Sequence, residues 1–280
     1  MLRSTKTTLF ALAIAMLALP VACKRDPNPT AVADAATQAT AKADAASRAI
    51  AAPTLDDVVE RDPRYIVGIS YPPVARQHPG LGRLLKAYAD TAYGELMQAV
   101  TGMGDGAPTA PYDLSLQFSQ KLATPDIIVI AANGSSYTGG AHGNPLVARF
   151  VWLPRQSSQL TIRELVTAAG GWQTISDAVR EQLRSGLAAQ VDSDGPTPGE
   201  RAERVSNGAR MIDDGTTPDP ANFDQFEPVL AADGKIKALR FVFPPYQVGP
   251  YSDGVQSALV PASVLLPIIA AKFRPLFEAG

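Results

Sequence analysis

The stretch of residues 126–147 constrains the fold of this chain more than any other part of its sequence. Residues 126–132 form an apolar run after the opening Asp126, bounded by turn residues, which is typical of a strand buried on both faces. The pair Asn133-Gly134 tolerates positive φ, so it predicts a turn directly after that strand. A second apolar run, residues 146–152, takes the chain back, and the two runs predict neighbouring antiparallel strands.

Three glycines lie close together between these runs, Gly139, Gly140 and Gly143, on either side of His142. Glycine lets a backbone approach either another backbone or a bound partner, and the sequence leaves both alternatives open. A histidine in such a turn can act as a base, a ligand or a partner contact. Alternatively, its ring bonds a backbone carbonyl and holds the turn in place.

Composition indicates a folded protein without a basic surface. The chain has 280 residues, of which 46% are hydrophobic, so it can bury a sizeable core. Its 25 basic and 27 acidic residues are mixed along the chain, which excludes the basic patch typical of nucleic-acid binding. Cys23 is the single cysteine, so no intramolecular disulfide can support the core.

The N-terminus has the layout of a secretory signal peptide. Arg3 and Lys6 precede an apolar stretch at residues 9–19, and a small-residue site follows. This stretch is too short to span a bilayer as a helix. We therefore expect residues 1–22 to be a signal peptide that is removed on export.

Cys23 follows directly after the small residue Ala22, which resembles a bacterial lipoprotein cleavage site, although Pro20 stands where the motif usually has an aliphatic residue. We expect palmitate-type acyl chains on Cys23 that anchor the protein to a membrane in the periplasm. Lys24 follows the cysteine, where an aspartate is associated with inner-membrane retention. The expected location is therefore the outer membrane. The alternative is a signal cleaved elsewhere, with Cys23 incidental.

Residues 23–53 combine this cysteine with a segment built largely from small and polar residues such as Ala, Thr and Asp. These side chains cannot bury enough area to fold alone, so the segment predicts a flexible tether, with a docked helix as the alternative.

Beyond the tether, alternating apolar residues predict strands at residues 64–75, 112–118, 226–230, 235–243 and 256–260. Apolar residues at helical spacing predict helices at 81–100 and 172–187, a short one at 200–211 and a helical tail at 263–277.

Two motifs stand out at a wide separation in the chain: residues 137–144, YTGGAHGN, and residues 241–254, FVFPPYQVGPYSDG. Together they resemble the exported domain of unknown function that occurs in the ectodomain of the lysozyme-sensing anti-sigma factor and in front of a peptidoglycan deacetylase. The resemblance implies an α+β fold, an antiparallel sheet with packed helices outside the cytoplasmic membrane. It implies a small N-terminal subdomain, residues 54–157, and a larger C-terminal subdomain, residues 158–280. It implies binding rather than a uniform activity.

Tyrosines in the two motifs are the best candidates for a contact surface, because tyrosine on glycine and proline loops offers rigid amphipathic area at small entropic cost. The alternative is packing of their rings within the fold. We expect the two motifs to meet at the rim of one sheet. The candidate binding residues are Tyr137, Gly139, Gly140, His142, Asn144, Tyr246 and Tyr251.

No complete catalytic or metal-binding pattern is present. Ser136 neighbours His142, but there is no Gly-x-Ser-x-Gly elbow. His78 is the only other histidine, so a metal site would need carboxylates, which the spacing does not identify. We assign no catalytic residue, metal or cofactor. We therefore expect a non-catalytic lipoprotein, and the resemblance implies that it binds a lysozyme-like protein or peptidoglycan. The alternatives are a wall-glycan hydrolase or deacetylase-like enzyme using His142, and a scaffold for another envelope protein.

Overall fold

The computed structural model describes residues 53–104 and 110–279 of the chain. The expected signal peptide, residues 1–22, and Cys23 with nearly all of the expected tether lie outside these described residues. None of the helices in the described part combines the length and apolar character that crossing a bilayer requires.

Six strands form the larger of two sheets. They are β1 (Val58–Asp62), β2 (Tyr65–Ser70), β3 (Tyr112–Ala123), β4 (Ile128–Tyr137), β5 (Asn144–Leu153) and β6 (Ser158–Gln159). The strands lie in chain order, and every neighbouring pair is antiparallel except β2 and β3. A parallel pair needs a crossover connection, and helices α1 (Pro73–Gln77) and α2 (Pro79–Gly102) provide it.

The smaller sheet follows later in the chain, in the order β7 (Phe226–Leu230), β8 (Ile236–Phe243) and β9 (Gln256–Pro261), with both pairs antiparallel. The remaining helices are α3 (Ile162–Leu165), α4 (Gly171–Ser193), α5 (Pro198–Gly215) and α6 (Ala262–Leu265). Short 3-10 turns lie at Pro154–Gln156, Pro220–Phe223, Tyr251–Asp253 and Ala271–Leu276. The predicted α+β fold is confirmed, with its strands divided between two sheets.

Helix α2 packs an apolar stripe against one face of the larger sheet. Pro79 occupies its first turn, where a fixed φ is tolerated and no backbone donor is lost. Leu81, Leu85 and Leu96 recur at helical spacing and are fully buried. Burying each leucine contributes about 1.5–3 kcal/mol, so this stripe holds the helix on the sheet. We call the resulting cluster the first core.

Strand β4 divides its side chains between two cores. Ile128 and Ile130 belong to the first core, whereas Ile127, just before the strand, and Val129 belong to a second core that includes residues of α4 and the smaller sheet. Strand β5 alternates in the same way, with Ala148, Phe150 and Trp152 in the first core and Val151 and Leu153 in the second. The prediction of a strand buried on both faces is confirmed.

The turn expected at Asn133-Gly134 was wrong, because β4 continues through these residues to Tyr137. Gly134 has an extended backbone, and a Cβ added there would lie 1.9 Å from the Ser115 carbonyl oxygen on β3. Glycine is therefore needed here for the close approach of two strands. The chain turns later, where Gly139 and Gly140 have φ values of 101° and 98°.

Other elements differ from the prediction at their ends. Helix α5 is longer than the expected 200–211, because Thr197 and Glu200 form a capping box and Pro198 opens the helix. Strand β1 was not predicted; it is short and pairs with β2 through a tight connection. The expected helical tail is divided into α6 and a separate 3-10 turn, because Pro267 falls between them.

Candidate functional site

The β4–β5 connection carries the first motif. Tyr137 ends β4, and its hydroxyl donates to the Gly140 carbonyl oxygen at 3.2 Å, which closes the turn on itself. No atom lies within 4 Å of where a Cβ of Gly139 or Gly140 would be. Gly139 and Gly140 are therefore not needed for a close approach to another backbone, which was one of the two alternatives; they allow the positive φ values of the turn.

The second motif forms the loop between β8 and β9, and Tyr246 is its most unusual residue. Its φ is 73°, in the left-handed region that a residue with a side chain rarely adopts. The Tyr246 N–H donates to the Gly249 carbonyl oxygen at 3.0 Å. The side-chain amide of Gln247 donates to the carbonyl oxygens of Gly215 and Asn222, at 3.0 and 2.9 Å. These bonds fasten the loop to the end of α5 and direct the Tyr246 ring outward.

The structure brings the two motifs together through three aromatic rings, His142, Tyr246 and Tyr251, which we call the aromatic cluster. The Tyr246 hydroxyl lies 2.8 Å from His142 Nε2. The His142 ring stacks on Tyr251 with 4.2 Å between centroids and 16° between planes. The Tyr246 and Tyr251 rings are 5.6 Å apart. The expectation that the motifs meet at the rim of one sheet was wrong. His142 lies in a connection of the larger sheet, and the two tyrosines lie in a connection of the smaller sheet.

The hydrogen bonds of His142 fix the tautomer of its neutral ring. His142 Nδ1 lies 3.1 Å from the Gly143 carbonyl oxygen, which can only accept a hydrogen bond. The Nδ1 atom therefore carries the proton, and Nε2 accepts the hydrogen bond from the Tyr246 hydroxyl. The ring thus holds its own turn and also fixes the orientation of the Tyr246 ring.

Much of the aromatic cluster faces solvent. Tyr246 is 54% exposed and Tyr251 is 38% exposed, and both are among the most exposed large apolar side chains in the described residues. Tyr137 and Asn144 flank the cluster at the ends of β4 and β5, and neither makes a hydrogen bond to its rings within the described part of the chain. Burial raises the pKa of Asp113, which pairs with Tyr137 across β3 and β4.

The hydrogen-bond partners of the His142 ring are a backbone carbonyl and a tyrosine hydroxyl. Both ring nitrogens are engaged, and neither contacts a serine or a carboxylate among the residues described. Ser135 and Ser136, the neighbouring hydroxyl residues, lie on β4 in pairs with Pro145 and Asn144. Within residues 53–104 and 110–279, no three His, Cys, Asp or Glu side chains are grouped to hold a metal ion.

A buried ion pair between the two sheets was not anticipated from the sequence. Arg149 Nε on β5 lies 2.5 Å from Glu227 Oε1 on β7, and each side chain is only 9% exposed. The Arg149 backbone N–H also donates to Gln225 Oε1 at 2.6 Å. Arg240 approaches the other Glu227 oxygen at 3.6 Å. The one available signal was a charged residue inside the apolar run at residues 146–152.

Comparison with known protein families matches the part of the chain that contains α4, α5 and the smaller sheet. Residues 168–263 match the family described as "Protein of unknown function (DUF3298)". The matched segment contains Tyr246 and Tyr251 but not His142. No curated protein gave a significant match.

Two solved structures of that family are similar to this chain. A DUF3298 family protein from Pseudomonas aeruginosa PAO1 is 14% identical, with 82% of this chain and 99% of that one covered, at a TM-score of 0.52. A DUF3298 family member from Bacteroides fragilis is 14% identical, with 78% and 94% covered, at a TM-score of 0.47. At this identity the Pseudomonas structure shows a shared fold and nothing further.

Proposed function

We propose that this chain is a non-catalytic binding domain of the cell envelope, and that the aromatic cluster contacts a lysozyme-like protein or a peptidoglycan fragment. The observation that carries the proposal is the hydrogen bond between His142 and Tyr246. This bond assembles one exposed aromatic surface from two segments that lie 104 residues apart in the chain.

The physical character of the aromatic cluster suits recognition. Tyrosine combines a rigid apolar ring with a hydroxyl, so it gains contact area with few rotatable bonds to order. The Gln247 amide and the His142 ring hold the loop in one conformation before a partner arrives. A preorganised surface loses less conformational entropy on binding, which favours affinity.

The choice of partner draws on the sequence resemblance to the lysozyme-sensing ectodomain and to the domain that accompanies a peptidoglycan deacetylase. The two motifs that carry this resemblance also form the aromatic cluster. The proposed location is the periplasm, with acyl chains on Cys23 holding the domain at the outer membrane. Both kinds of partner are accessible from that location.

The test is retention of the mature chain, without acyl chains, on immobilised lysozyme and on peptidoglycan fragments. We expect retention on one of these materials and at least about a tenfold loss of affinity in Tyr251→Ser, because truncated aromatic hot spots cost more than 1 kcal/mol. Val59→Ser is the control. Val59 is 74% exposed and lies on β1, an edge strand of the larger sheet that contains neither motif.

Retention on neither material contradicts the proposal. Equal retention of the unsubstituted chain and Tyr251→Ser contradicts the assignment of the surface. In that case the partner would bind elsewhere on the domain.

A further inference from the structure

A second opening in the surface lies away from the aromatic cluster, where β5, the start of α3 and the segment before β7 meet. It is a cavity of ≈ 370 Å³. Phe150 and Tyr88 line it from the first core, and Leu160, Ile162 and Phe226 line it from the second. Ligand sites are commonly concave and mostly apolar, with a few polar groups that converge on them.

Several polar side chains that line this cavity have unused hydrogen-bonding atoms. Arg149 is 9% exposed, and its Nη2 atom makes no hydrogen bond in the described part of the chain. The Tyr88 hydroxyl and the Gln225 side-chain N–H groups likewise have no partner among the residues described. None of these atoms is fully enclosed, so a molecule that enters the cavity can replace the solvent at them and form hydrogen bonds with them.

The charges around the cavity are also incompletely neutralised. Two guanidinium ions share the Glu227 carboxylate: Arg149, which is buried with it, and Arg240, which is 42% exposed. Arg163 and Asp224 line the cavity and form no ion pair within residues 53–104 and 110–279, with each other or with any other side chain. The cavity therefore presents cationic groups and a separate carboxylate that do not neutralise one another.

We propose that this cavity binds a small zwitterion, an α-amino acid or dipeptide with an apolar side chain. Guanidinium groups pair well with carboxylates, so the ligand carboxylate lies against Arg163 and the free Nη2 of Arg149. The ligand ammonium lies against Asp224, and its side chain packs on Phe150 and Phe226. The cavity is at the small end of the usual range of about 300–1,000 Å³, which limits the ligand to this size.

This inference does not depend on the proposed function. The experiment titrates the mature chain with L-phenylalanine and, separately, with the dipeptide Ala-Phe, followed by calorimetry and by backbone amide NMR shifts. We expect millimolar or tighter binding of at least one of them, with shifts centred on Arg163, Asp224 and Gln225. Phenylalaninamide, which lacks the carboxylate, and N-acetylphenylalanine, which lacks the ammonium, are expected to bind at least about tenfold more weakly.

Two charge variants complete the test. Arg163→Gln and Asp224→Asn are each expected to weaken binding about tenfold or more, and both side chains are exposed and unpaired, so the fold is retained. Arg274→Gln and Asp214→Asn remove the same charges away from the cavity and are expected to bind like the unsubstituted chain.

Binding of Ala-Phe alone assigns the site to peptide ends, and binding of L-phenylalanine assigns it to the free amino acid; both support the proposal. The proposal is overturned if neither ligand binds, if both analogues that lack one charge bind as tightly as the zwitterion, or if both charge variants bind like the unsubstituted chain.

Discussion

Arg149 and Glu227 form an ion pair that joins the two sheets, with 2.5 Å between Nε and Oε1 and with both side chains buried. Arg149 lies on β5, the strand that follows the His142 turn, and Glu227 lies on β7, next to the strand that leads to Tyr246. The pair therefore fixes the relative position of the two sheets that carry the halves of the aromatic cluster. The pair affects the aromatic cluster only indirectly, through the positions of the two sheets.

Removing one partner of this pair is expected to be strongly destabilising. Arg149→Met leaves the Glu227 carboxylate buried without its main partner, and such changes cost about 3–5 kcal/mol in free energy of unfolding. The double variant Arg149→Met with Glu227→Met removes both charges, so we expect it to lose less stability than the single variant. Urea unfolding at neutral pH measures both values.

The matched control is Arg155→Met. Arg155 Nε lies 2.7 Å from Asp126 Oδ1, but the two side chains are 72% and 50% exposed. Exposed ion pairs contribute about 0–1 kcal/mol, so this variant is expected to unfold almost like the parent chain. Equal losses for Arg149→Met and Arg155→Met would show that the buried pair does not hold the sheets.

Tyr246→Gly is expected to separate stability from binding. Glycine adopts a φ of 73° freely, whereas a residue with a side chain is disfavoured there by about 1–2 kcal/mol. Tyr246 is 54% exposed, so loss of its ring removes little buried area. We expect a free energy of unfolding equal to that of the parent or up to about 1 kcal/mol higher, together with lost retention on the partner.

Tyr246→Phe is the companion variant, because it keeps the ring and the backbone strain but removes the hydrogen bond to His142. We expect it to bind with intermediate affinity. A Tyr246→Gly chain that is less stable by several kcal/mol, measured by the same denaturant titration, would argue that the ring supports the fold rather than a partner.

Gly134→Ala is expected to disrupt the larger sheet. The added Cβ would lie 1.9 Å from the Ser115 carbonyl oxygen, so β3 and β4 would have to separate. Overpacking of this kind costs about 1–3 kcal/mol and can exceed that where backbone has to move. Gly94→Ala is the control, because Gly94 lies inside α2 with no atom within 4 Å of the new Cβ.

Alanine at position 94 is expected to raise the thermal midpoint, since glycine inside a helix is less stable than alanine by about 0.5–1 kcal/mol. Opposite shifts of the two variants in one thermal unfolding series are the expected result. A tolerated Gly134→Ala would mean that the strands are not as close as described.

Stability is expected to fall at high pH because of two tyrosines. Burial, with Asp90 and Asp57 adding repulsion, raises the pKa of Tyr71 from 10.0 to about 12. A hydrogen bond to Glu60 raises the pKa of Tyr93 to about 12 as well. The folded state holds these protons when the unfolded state has released them. The two protonated tyrosines therefore contribute fully to the free energy of unfolding below pH 10.0, and this contribution is lost as pH rises towards about 12.

Denaturant unfolding across this alkaline range, with tyrosinate absorbance recorded in parallel, measures the effect. Tyr93→Phe removes one of the two groups, so its stability is expected to decline less steeply with pH. Identical slopes for the variant and the parent would exclude Tyr93 as a source of the decline.

Local patterns predicted much of this fold. The apolar run at residues 126–132 identified β4, and the helical spacing of Leu81 and Leu85 identified α2, because each depends on neighbours within one element. The turn expected at Asn133-Gly134 was wrong because Ser115, on another strand, determines what fits at Gly134.

The candidate site was predictable only in part. The aromatic and glycine motifs can be read from the sequence, but no spacing rule places Tyr246 beside His142. The Arg149–Glu227 pair is harder still, since its partners are 78 residues apart and each is surrounded by apolar neighbours. Such contacts depend on how two sheets pack, which periodicity within a strand does not report.

Because β4 and β5 contribute side chains to two cores at once, neither half of the described domain has a complete hydrophobic core of its own. The residues matched by the DUF3298 family, 168–263, contain neither strand. A segment of that length would therefore lack the side of the second core that Val129 and Val151 form. The borders of the family match thus cut through one hydrophobic core, so the segment expressed alone is expected to have an incomplete core rather than to fold as a smaller version of the protein.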